Sequence, residues 1–416
     1  MIFKFHLIQT SSDISQIFLS IYFTKNTDAN ATIECKTPLF IPFHDWDCEK
    51  QRPKNIYKKK YKELNTLLNI IKVQISQYLE DNKLNKKNIS KKQIISYINT
   101  IIYSSRENHG RQYPQGSLLS LMSLYISQKQ QSVRISTYRR YLVFMRLIEK
   151  FEGYTAKQIY LKDIDSQLIT SFYYFGKKEM YTESTINRTV HFLKTILNFA
   201  ERNDFQTRVR NLEIPKTTLS RKITTLNENE ILKIKQTQVP QELQIAKDWL
   251  LISCYTGQRI SDFMRFTNEQ LIDIHGKKCI AFIQRKTSKE IILPLHPTVI
   301  KVIERNNYAF PQSMDVNLYN KDIKKIAQLA GINTLVKVRK RIGYRSNEIL
   351  IEKWETVSSH IGRRSFASNF YGKIPTPLLI QATGHSSERM FLNYINPINH
   401  ERIITLGNYF DELHSE

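Results

Sequence analysis

The chain has 416 residues and carries 62 lysines and arginines against 38 aspartates and glutamates, a formal net charge of +24. Hydrophobic residues make up 41% of it and aromatic residues 11%, which excludes a disordered polyelectrolyte. No apolar run reaches the roughly 18 residues of a membrane span, and the charge excess favours a polyanionic partner, because neutralising phosphates releases condensed counterions.

The N-terminus and the cysteines favour a cytoplasmic protein. The first eighteen residues have polar breaks and no cleavage site after a continuous apolar region, which makes them a poor signal peptide. Cys35, Cys48, Cys254 and Cys279 form no CxxC pair and have no histidine at zinc-ligand spacing. We therefore expect reduced thiols, with Cys254 and Cys279 in the core, and no structural metal.

Residues 1–111 read as a small module of strands followed by a helix. Alternating apolar residues predict strands over 17–23 and 33–41, and apolar residues at helical spacing predict a helix over 64–78. The run from Lys50 to Lys62 is strongly basic. It is interpreted either as a phosphate-binding surface or as the solvated start of the helix.

Residues 112–208 follow a linker with glycine and proline and predict a basic helical bundle. Ser117 and Ser136 are candidate N-caps, the second for a helix over 137–151. Two further helices are predicted near 165–174 and over 184–202.

Residues 220–416 predict a mainly helical domain with one hairpin. Its strands are 279–284 and 290–293, joined by a basic turn over 285–289. A helix over 321–330 is closed by Gly331. The chain ends in a short apolar tail from residue 399.

The candidate catalytic residues lie within residues 220–416. An apolar helix breaks at Gly257, and Arg259 follows with Asp262 nearby to orient it. His360 and Arg363 are three residues apart, on one face of a helix that begins near residue 358 or 359.

Gly384-His385 opens a loop-to-helix transition with Ser386 as candidate N-cap, and Tyr394 lies nine residues after His385. Each of these signals is weak alone. Together with the lysines of the hairpin turn, and in this order, they are improbable by chance.

These segments resemble a known family. TGQRISD, SSHIGRRSFASN and TGHSSERMFLNYI are similar to the signature boxes of the tyrosine recombinases, the phage-integrase-type site-specific recombinases. The resemblance covers 226–395; 112–208 resembles their helical, SAM-like core-binding domain. Residues 1–111 resemble the arm-binding module of integrases from bacterial conjugative transposons and phages, notably at Pro42 to Trp46. The implied fold is multidomain and mainly α: an α+β arm-binding module, a helical core-binding domain, and a mainly-α catalytic domain with a small antiparallel sheet.

The resemblance assigns the catalytic positions to Arg259, Lys286, His360, Arg363, His385 and Tyr394. Tyr394 would attack a scissile DNA phosphate and form a 3′-phosphotyrosine. Arg259 and Arg363 would clamp the non-bridging oxygens and stabilise the charge of the transition state.

The other assignments concern protons. His360 would assist proton transfer at the nucleophile, and His385 would hydrogen-bond a phosphate oxygen. Lys286 matches best the hairpin lysine that protonates the leaving 5′-oxygen, with Lys289 on the same turn as the alternative. Such a reaction implies no metal, ATP or other cofactor.

This sequence departs from the family pattern at two positions. Gln258 and Thr383 stand where the family usually has an apolar residue, often leucine. Neither change removes a catalytic group, so an active site is still expected. Arg364 is interpreted as a contact to the DNA backbone or a support for the site.

The implied partners are double-stranded DNA, at core and arm-type sites, and further copies of the chain in a homotetramer; no membrane partner is expected. The resemblance also allows for DNA-bending or directionality factors and for a place on the bacterial nucleoid. The apolar tail would dock on a neighbouring protomer or fold back on its own domain. The alternatives are a type IB topoisomerase-like relaxing activity and a non-catalytic DNA-binding protein on the same fold.

Overall fold

The computed structural model describes residues 1–8, 13–23, 32–55, 58–84, 89–107, 113–215, 223–342, 345–395 and 407. The chain divides into two compact units, Met1–Thr218 with Arg341–Asn347 and Leu219–Lys340 with Glu348–Glu416. The architecture is multidomain and mainly helical with small antiparallel sheets, which confirms the predicted fold class. No helix within the described ranges is long and apolar enough to span a membrane. The predicted tail lies outside those ranges, apart from residue 407.

The first unit opens with an antiparallel sheet of β1 (Ile2–Ile8), β2 (Ile14–Tyr22) and β3 (Thr32–Pro42), in that order. A short hairpin of β4 (Trp46–Asp47) and β5 (Arg52–Pro53) follows. Leu19 and Ile21 of the central strand are fully buried. The sheet therefore presents an apolar face to the helices that come next.

Two helices cover that face: α1 (Lys59–Leu84) and α2 (Lys91–Glu107). Helix α2 was not predicted, although Ile94, Ile98 and Ile102 recur at helical spacing and are fully buried. The two helices share one apolar core with the sheet. The predicted module is thus larger than strands and a single helix.

A helical bundle completes the first unit: α3 (Leu118–Lys129), α4 (Ile135–Thr155), α5 (Ser166–Lys178) and α6 (Glu183–Glu201). Ser117 caps α3 by accepting a hydrogen bond from the N–H of Ser120, as predicted. The predicted cap Ser136 is wrong, because α4 begins at Ile135, two residues before the predicted start, and Arg134 takes the capping position. Ala156, at the end of α4, packs against the core of the N-terminal module.

The second unit is organised around a buried helix, α8. The helices of its first half are α7 (Glu228–Gln236), α8 (Gln241–Thr256), α9 (Ile260–Phe263), α10 (Pro297–Arg305) and α11 (Val316–Leu329). Trp249 at the centre of α8 is fully buried, and its indole N–H donates to the carbonyl of Gln312 at 2.9 Å. Cys254 and Cys279 are buried, as predicted. Helix α11 begins five residues before the predicted start, because Asp315 caps it.

The predicted hairpin is β7 (Lys277–Ile283) with β8 (Glu290–Pro294), and β6 (Leu271–Ile274) adds a third strand to its sheet. A second hairpin, β9 (Leu335–Ile342) with β10 (Arg345–Glu352), was not predicted. Its strands are rich in charge, and Lys337 forms a cross-strand ion pair with Glu348. Such strands give little apolar alternation for sequence analysis to detect.

The chain continues through short helices that carry the remaining motifs: α12 (Ile361–Phe370), α13 (Thr376–Thr383) and α14 (Glu388–Leu392). Ser387, and not the predicted Ser386, caps α14 by accepting from the N–H of Met390. The helix α12 begins two to three residues after the predicted start, so His360 is its capping residue. A small apolar core that includes Phe366, Leu379 and Phe391 holds these helices together.

Candidate active site

Arg363 is a fully buried arginine at the start of α12, where this helix packs on α8. Its Nη1 donates to the carbonyl of Gly257 at 3.0 Å. Gly257 ends α8 with a φ of +65°, and a Cβ there would lie 2.5 Å from the ring of Phe366. Only glycine fits this turn. The end of α8 at Gly257 therefore places the Gly257 carbonyl where it orients the guanidinium of Arg363.

His385 is the second partner of Arg363. Nη2 of Arg363 lies 2.9 Å from Nε2 of His385, and the hydroxyl of Thr383 lies 2.7 Å from Nδ1. The same hydroxyl donates to the carbonyl of Leu379, so it accepts from Nδ1–H. Because a guanidinium only donates, Nε2 must carry a lone pair. These partners assign His385 as a neutral imidazole protonated at Nδ1.

The surroundings of His385 disfavour its charged form. Burial, together with the positive charges of Arg363, Arg259 and Lys289, lowers the pKa of His385 to about 3. In this arrangement both ring nitrogens are used by the protein. The predicted hydrogen bond to a phosphate oxygen would require Arg363 to release Nε2 and Nε2 to take up a proton, because a phosphate oxygen only accepts.

We expect this histidine to make the second unit sensitive to acid. In the unfolded chain the imidazole binds its proton near pH 6.5, but in the folded chain only near pH 3. The unfolded state therefore binds more protons between these values, and the free energy of unfolding falls as the pH drops through this window. Urea denaturation, followed by tryptophan fluorescence at pH 7 and pH 5, should show a smaller loss for His385→Gln than for the original chain. His191→Gln, at an exposed position of α6, is the matched control; equal losses in all three proteins would contradict the expectation.

Tyr394 lies just past α14 against these two side chains. Its ring centroid is 4.8 Å from that of His385 and 5.4 Å from Cζ of Arg363. Its neighbour Ile395 is buried in the same small core as Phe391. The described part of the chain offers no partner to the buried Nε of Arg363. The half-buried phenol of Tyr394 thus lies beside the buried guanidinium of Arg363, whose Nε–H can still donate a hydrogen bond.

Arg259 follows the Gly257 turn and precedes α9. Its Nη1 donates to Oε1 of Gln284 at 3.0 Å. The expectation that Asp262 orients Arg259 is wrong: the buried carboxylate of Asp262 accepts the N–H of Arg285 at 2.9 Å. Asp262 therefore ties the segment of Arg259 to the start of the hairpin turn.

Both candidate lysines lie on that turn. Nζ of Lys289 donates to the carbonyl of His385 at 3.1 Å. Lys286 has no such bond within the described residues, but its charge is close enough to lower the pKa of His360. The turn thus places Lys289 at His385 and the charge of Lys286 near His360.

His360 precedes α12 in a cationic environment. Desolvation, followed by the positive charges of Arg364, Arg363, Arg259 and Lys286, lowers the pKa of His360. The imidazole is therefore neutral near pH 7 and able to accept a proton. Among the described residues, no cluster of histidine, cysteine, aspartate or glutamate is arranged to hold a metal ion.

The six residues predicted from separate motifs all belong to the second unit. Arg363, His385 and Tyr394 are in direct contact. The positive charges of Arg259 and Lys286 are close enough to His360 to lower its pKa. Gln284, which bonds to Arg259, was missed. A signal for it exists: alternation along β7 places position 284 on the same side as the buried Ile280 and Phe282. A glutamine at an inward-facing position of a strand indicates a buried polar network.

Comparison with known proteins supports the family. The model of the phage integrase SAM-like domain matches residues 117–209, and the model of the phage integrase family matches residues 221–401. Together they span more than half of the chain. Proteins with curated functions show no significant match.

Solved structures of similar fold are integrases and recombinases. A variant of the Tn1549 transposon integrase in complex with transposon right end DNA has a TM-score of 0.52 and 15% identity, covering 70% of this chain and 99% of that one. A lambda integrase dimer bound to a COC′ core site has a TM-score of 0.45 and 16% identity, covering 71% and 85%. The XerH recombinase bound to a palindromic difH substrate has a TM-score of 0.49 and 14% identity, covering 78% and 91%. From its two family matches, the chain belongs to the phage integrase family, the tyrosine recombinases.

Proposed function

We propose that this protein is a site-specific DNA recombinase that integrates and excises a mobile element through a 3′-phosphotyrosine intermediate. The observation that carries the proposal is the contact of Tyr394 with Arg363 and His385. A phenol next to a buried guanidinium is suited to attack a phosphodiester, whose negative charge the guanidinium would balance.

The proposed cleavage step exchanges one phosphoester for another. Oη of Tyr394 bonds to the scissile phosphorus, the bond from phosphorus to the 5′-oxygen breaks, and the 3′-phosphate stays on the enzyme. The proton of the phenol passes to the neutral imidazole of His360, and Lys286 supplies a proton to the leaving 5′-oxygen. Rejoining reverses these transfers with the 5′-hydroxyl of another strand. The energy of the broken ester is kept in the new one, so the residues of the site suffice without ATP.

Arg259 and Arg363 would hold the non-bridging oxygens. Arg363 enters the site with its orientation fixed by Gly257 and His385. Burial and the nearby Arg259 lower the pKa of Arg363 to about 10, yet it remains charged at neutral pH. Two cations close enough to repel each other are stabilised when an anion binds between them.

For the assembly we propose a homotetramer on two DNA duplexes, with a core-binding domain over 112–208, a catalytic domain over 220–416, and a place on the bacterial nucleoid. The Tn1549 integrase of similar fold was solved with transposon right end DNA, and a lambda integrase tetramer with a Holliday junction. These complexes favour recombination of a mobile element over relaxation of supercoils. DNA-bending or directionality factors fit this scheme as further partners.

Residues 1–111 are proposed to bind arm-type DNA. Lys58, Lys59, Lys60 and Lys62 are all exposed at the start of α1. Arg52 in the same basic run is different, since it donates to Asn69 of α1 at 2.7 Å. These four exposed lysines therefore form a basic surface that is available to phosphates.

Replacing these four lysines by glutamine should flatten the salt dependence of binding to DNA that carries arm sites. Each phosphate contact contributes about 0.9 to the slope of log affinity against log salt, so the slope should fall by roughly three to four. Fluorescence anisotropy over a salt series measures it. Lys91→Gln with Lys92→Gln, at the exposed start of α2, is the control. An unchanged slope would mean that the lysines are a solvated helix start.

Covalent trapping tests the proposal as a whole. The protein is incubated with nicked fragments from either side of its own gene, without Mg²⁺ or ATP, and resolved on denaturing gels. We expect an SDS-resistant adduct on the fragment that contains the core site. Binding without an adduct on any fragment would favour the non-catalytic alternative. Relaxation of a supercoiled plasmid without strand exchange would favour the topoisomerase-like one.

A further inference from the structure

Gln284 lies at the centre of a buried hydrogen-bond network that joins the segments of the candidate site. Its side chain is fully buried at the end of β7. Oε1 accepts from Nη1 of Arg259 at 3.0 Å and from the hydroxyl of Thr287 at 2.7 Å. Nε2 donates to Oε1 of Gln258 at 3.1 Å and to the carbonyl of Thr383 at 3.0 Å. These contacts use the full hydrogen-bonding capacity of a carboxamide.

The orientation of this carboxamide is determined by its partners. A guanidinium only donates and a backbone carbonyl only accepts, so exchanging the oxygen and nitrogen of Gln284 would create repulsive contacts on both sides. Gln258 reinforces the arrangement: its Nε2 donates to the carbonyls of Thr256 and Ala382 at 2.8 Å each. Its oxygen is thereby left facing Gln284.

The loop before His385 is packed directly on this amide. Gly384 has a φ of +67°, and a Cβ at this position would lie 2.6 Å from the amide atoms of Gln284. Any other residue would both strain the backbone and displace the amide. The contact with Gln284 therefore explains the glycine of the Gly-His pair.

The backbone of Gln284 also closes the hairpin turn. Its N–H donates to the carbonyl of Lys289 at 2.8 Å, and its carbonyl accepts from the N–H of Ser288 at 2.9 Å. Through its side chain it further holds Thr287. The lysine-bearing turn and Arg259 are thus held by one residue.

We propose that Gln284, assisted by Gln258, is a positioning residue of the recombination reaction. It sets the segments of Arg259, of the lysine turn and of His385 relative to one another. This inference rests on the proposed function. A neutral amide holds Arg259 without cancelling its charge, which a carboxylate in the same place would do. The two departures from the family pattern, Gln258 and Thr383, are both members of this network.

The first test is single-turnover cleavage of a nicked core site by Gln284→Met, which keeps the size of the side chain and loses its four hydrogen bonds. We expect cleavage to slow roughly 100-fold, since displacement of catalytic groups by about 1 Å has effects of this size, while DNA binding stays nearly unchanged. Ile283→Thr is the matched control, at the preceding position of the same strand, where the side chain is 63% exposed. Wild-type rates for Gln284→Met would overturn the proposal.

A double-mutant cycle separates positioning from general destabilisation. If Gln284 acts through Arg259, Gln284→Met should slow cleavage far less in the Arg259→Lys variant than in the original chain. Losses that multiply in full would overturn the proposal. Should Gln284→Met fail to fold, Gln258→Leu takes its place: it introduces the residue usual in the family and removes one bond of Gln284, and a smaller loss of rate is expected.

Crystal structures of the original chain and of Gln284→Met give a readout that needs no activity. The proposal requires the guanidinium of Arg259 and the 285–289 turn to move in the variant, and unchanged positions would overturn it. If the original chain itself forms no adduct, the proposed function fails, and this comparison still decides whether Gln284 positions Arg259.

Discussion

Replacing Tyr394 by phenylalanine should abolish the covalent DNA adduct and leave DNA binding nearly unchanged. The substitution removes only the hydroxyl that would attack phosphorus. The ring stays packed between His385 and the small apolar core of Phe391 and Ile395. Denaturing gels measure the adduct, and a gel-shift titration on the same fragment measures binding. A loss of cleavage of this kind is complete, because the site offers no second route to the intermediate.

Tyr371→Phe is the matched control for this experiment. Tyr371 contacts the same apolar core, and its ring centroid is 6.2 Å from that of Phe391. We expect this variant to form the adduct as the original chain does. If the adduct persists in Tyr394→Phe, or is lost in Tyr371→Phe, the assignment of the nucleophile is wrong.

The second large effect is expected at Lys286. Without a general acid the 5′-oxygen would leave as an alkoxide, so Lys286→Ala should slow cleavage roughly 100- to 10,000-fold. A substrate with sulfur in place of the bridging 5′-oxygen needs no such proton, because a thiolate is a far weaker base. On this substrate Lys286→Ala should cleave nearly as fast as the original chain. Single-turnover rates on the two substrates give the measurement.

Lys289→Ala distinguishes the two lysines of the turn. Its ammonium is bonded to the carbonyl of His385, which suits a role in holding the histidine loop. We expect a smaller loss for this variant, and one that the sulfur substrate does not restore. If the sulfur substrate restores Lys289→Ala and not Lys286→Ala, Lys289 is the general acid and the assignments must be exchanged.

The features of this protein that depend on short segments were predicted best from the sequence. The spacing from His360 to Arg363 and the spacing from His385 to Tyr394 are properties of short segments, and they identified Arg363, His385 and Tyr394, which lie in contact. Helices with a clear apolar stripe were found for the same reason. Caps were predicted less well, since Ser136 lies one residue inside α4 and neighbouring serines compete at α14.

Other features depend on partners distant in sequence. The charged β9–β10 hairpin buries little apolar surface, so its strands lack the alternation of apolar and polar residues that predicts a strand. The partner of Arg259 was expected to be Asp262, three residues away, and is Gln284, which is 25 residues away. Opposite charge and short separation in sequence favour Asp262 as the partner of Arg259. In the fold, however, the carboxylate of Asp262 accepts the N–H of Arg285.

The sequence by itself determined the fold class, the family resemblance and the kinds of reactive side chain, because these follow from composition, periodicity and short motifs. Only the tertiary structure decided which hydrogen-bond partners those side chains have. The neutral state of His385 follows from its burial beside Arg363, and the network of Gln284 reaches Thr383, 99 residues away. Protonation and orientation in a buried site depend on desolvation and on contacts between segments, and neither is written in the spacing of residues along the chain.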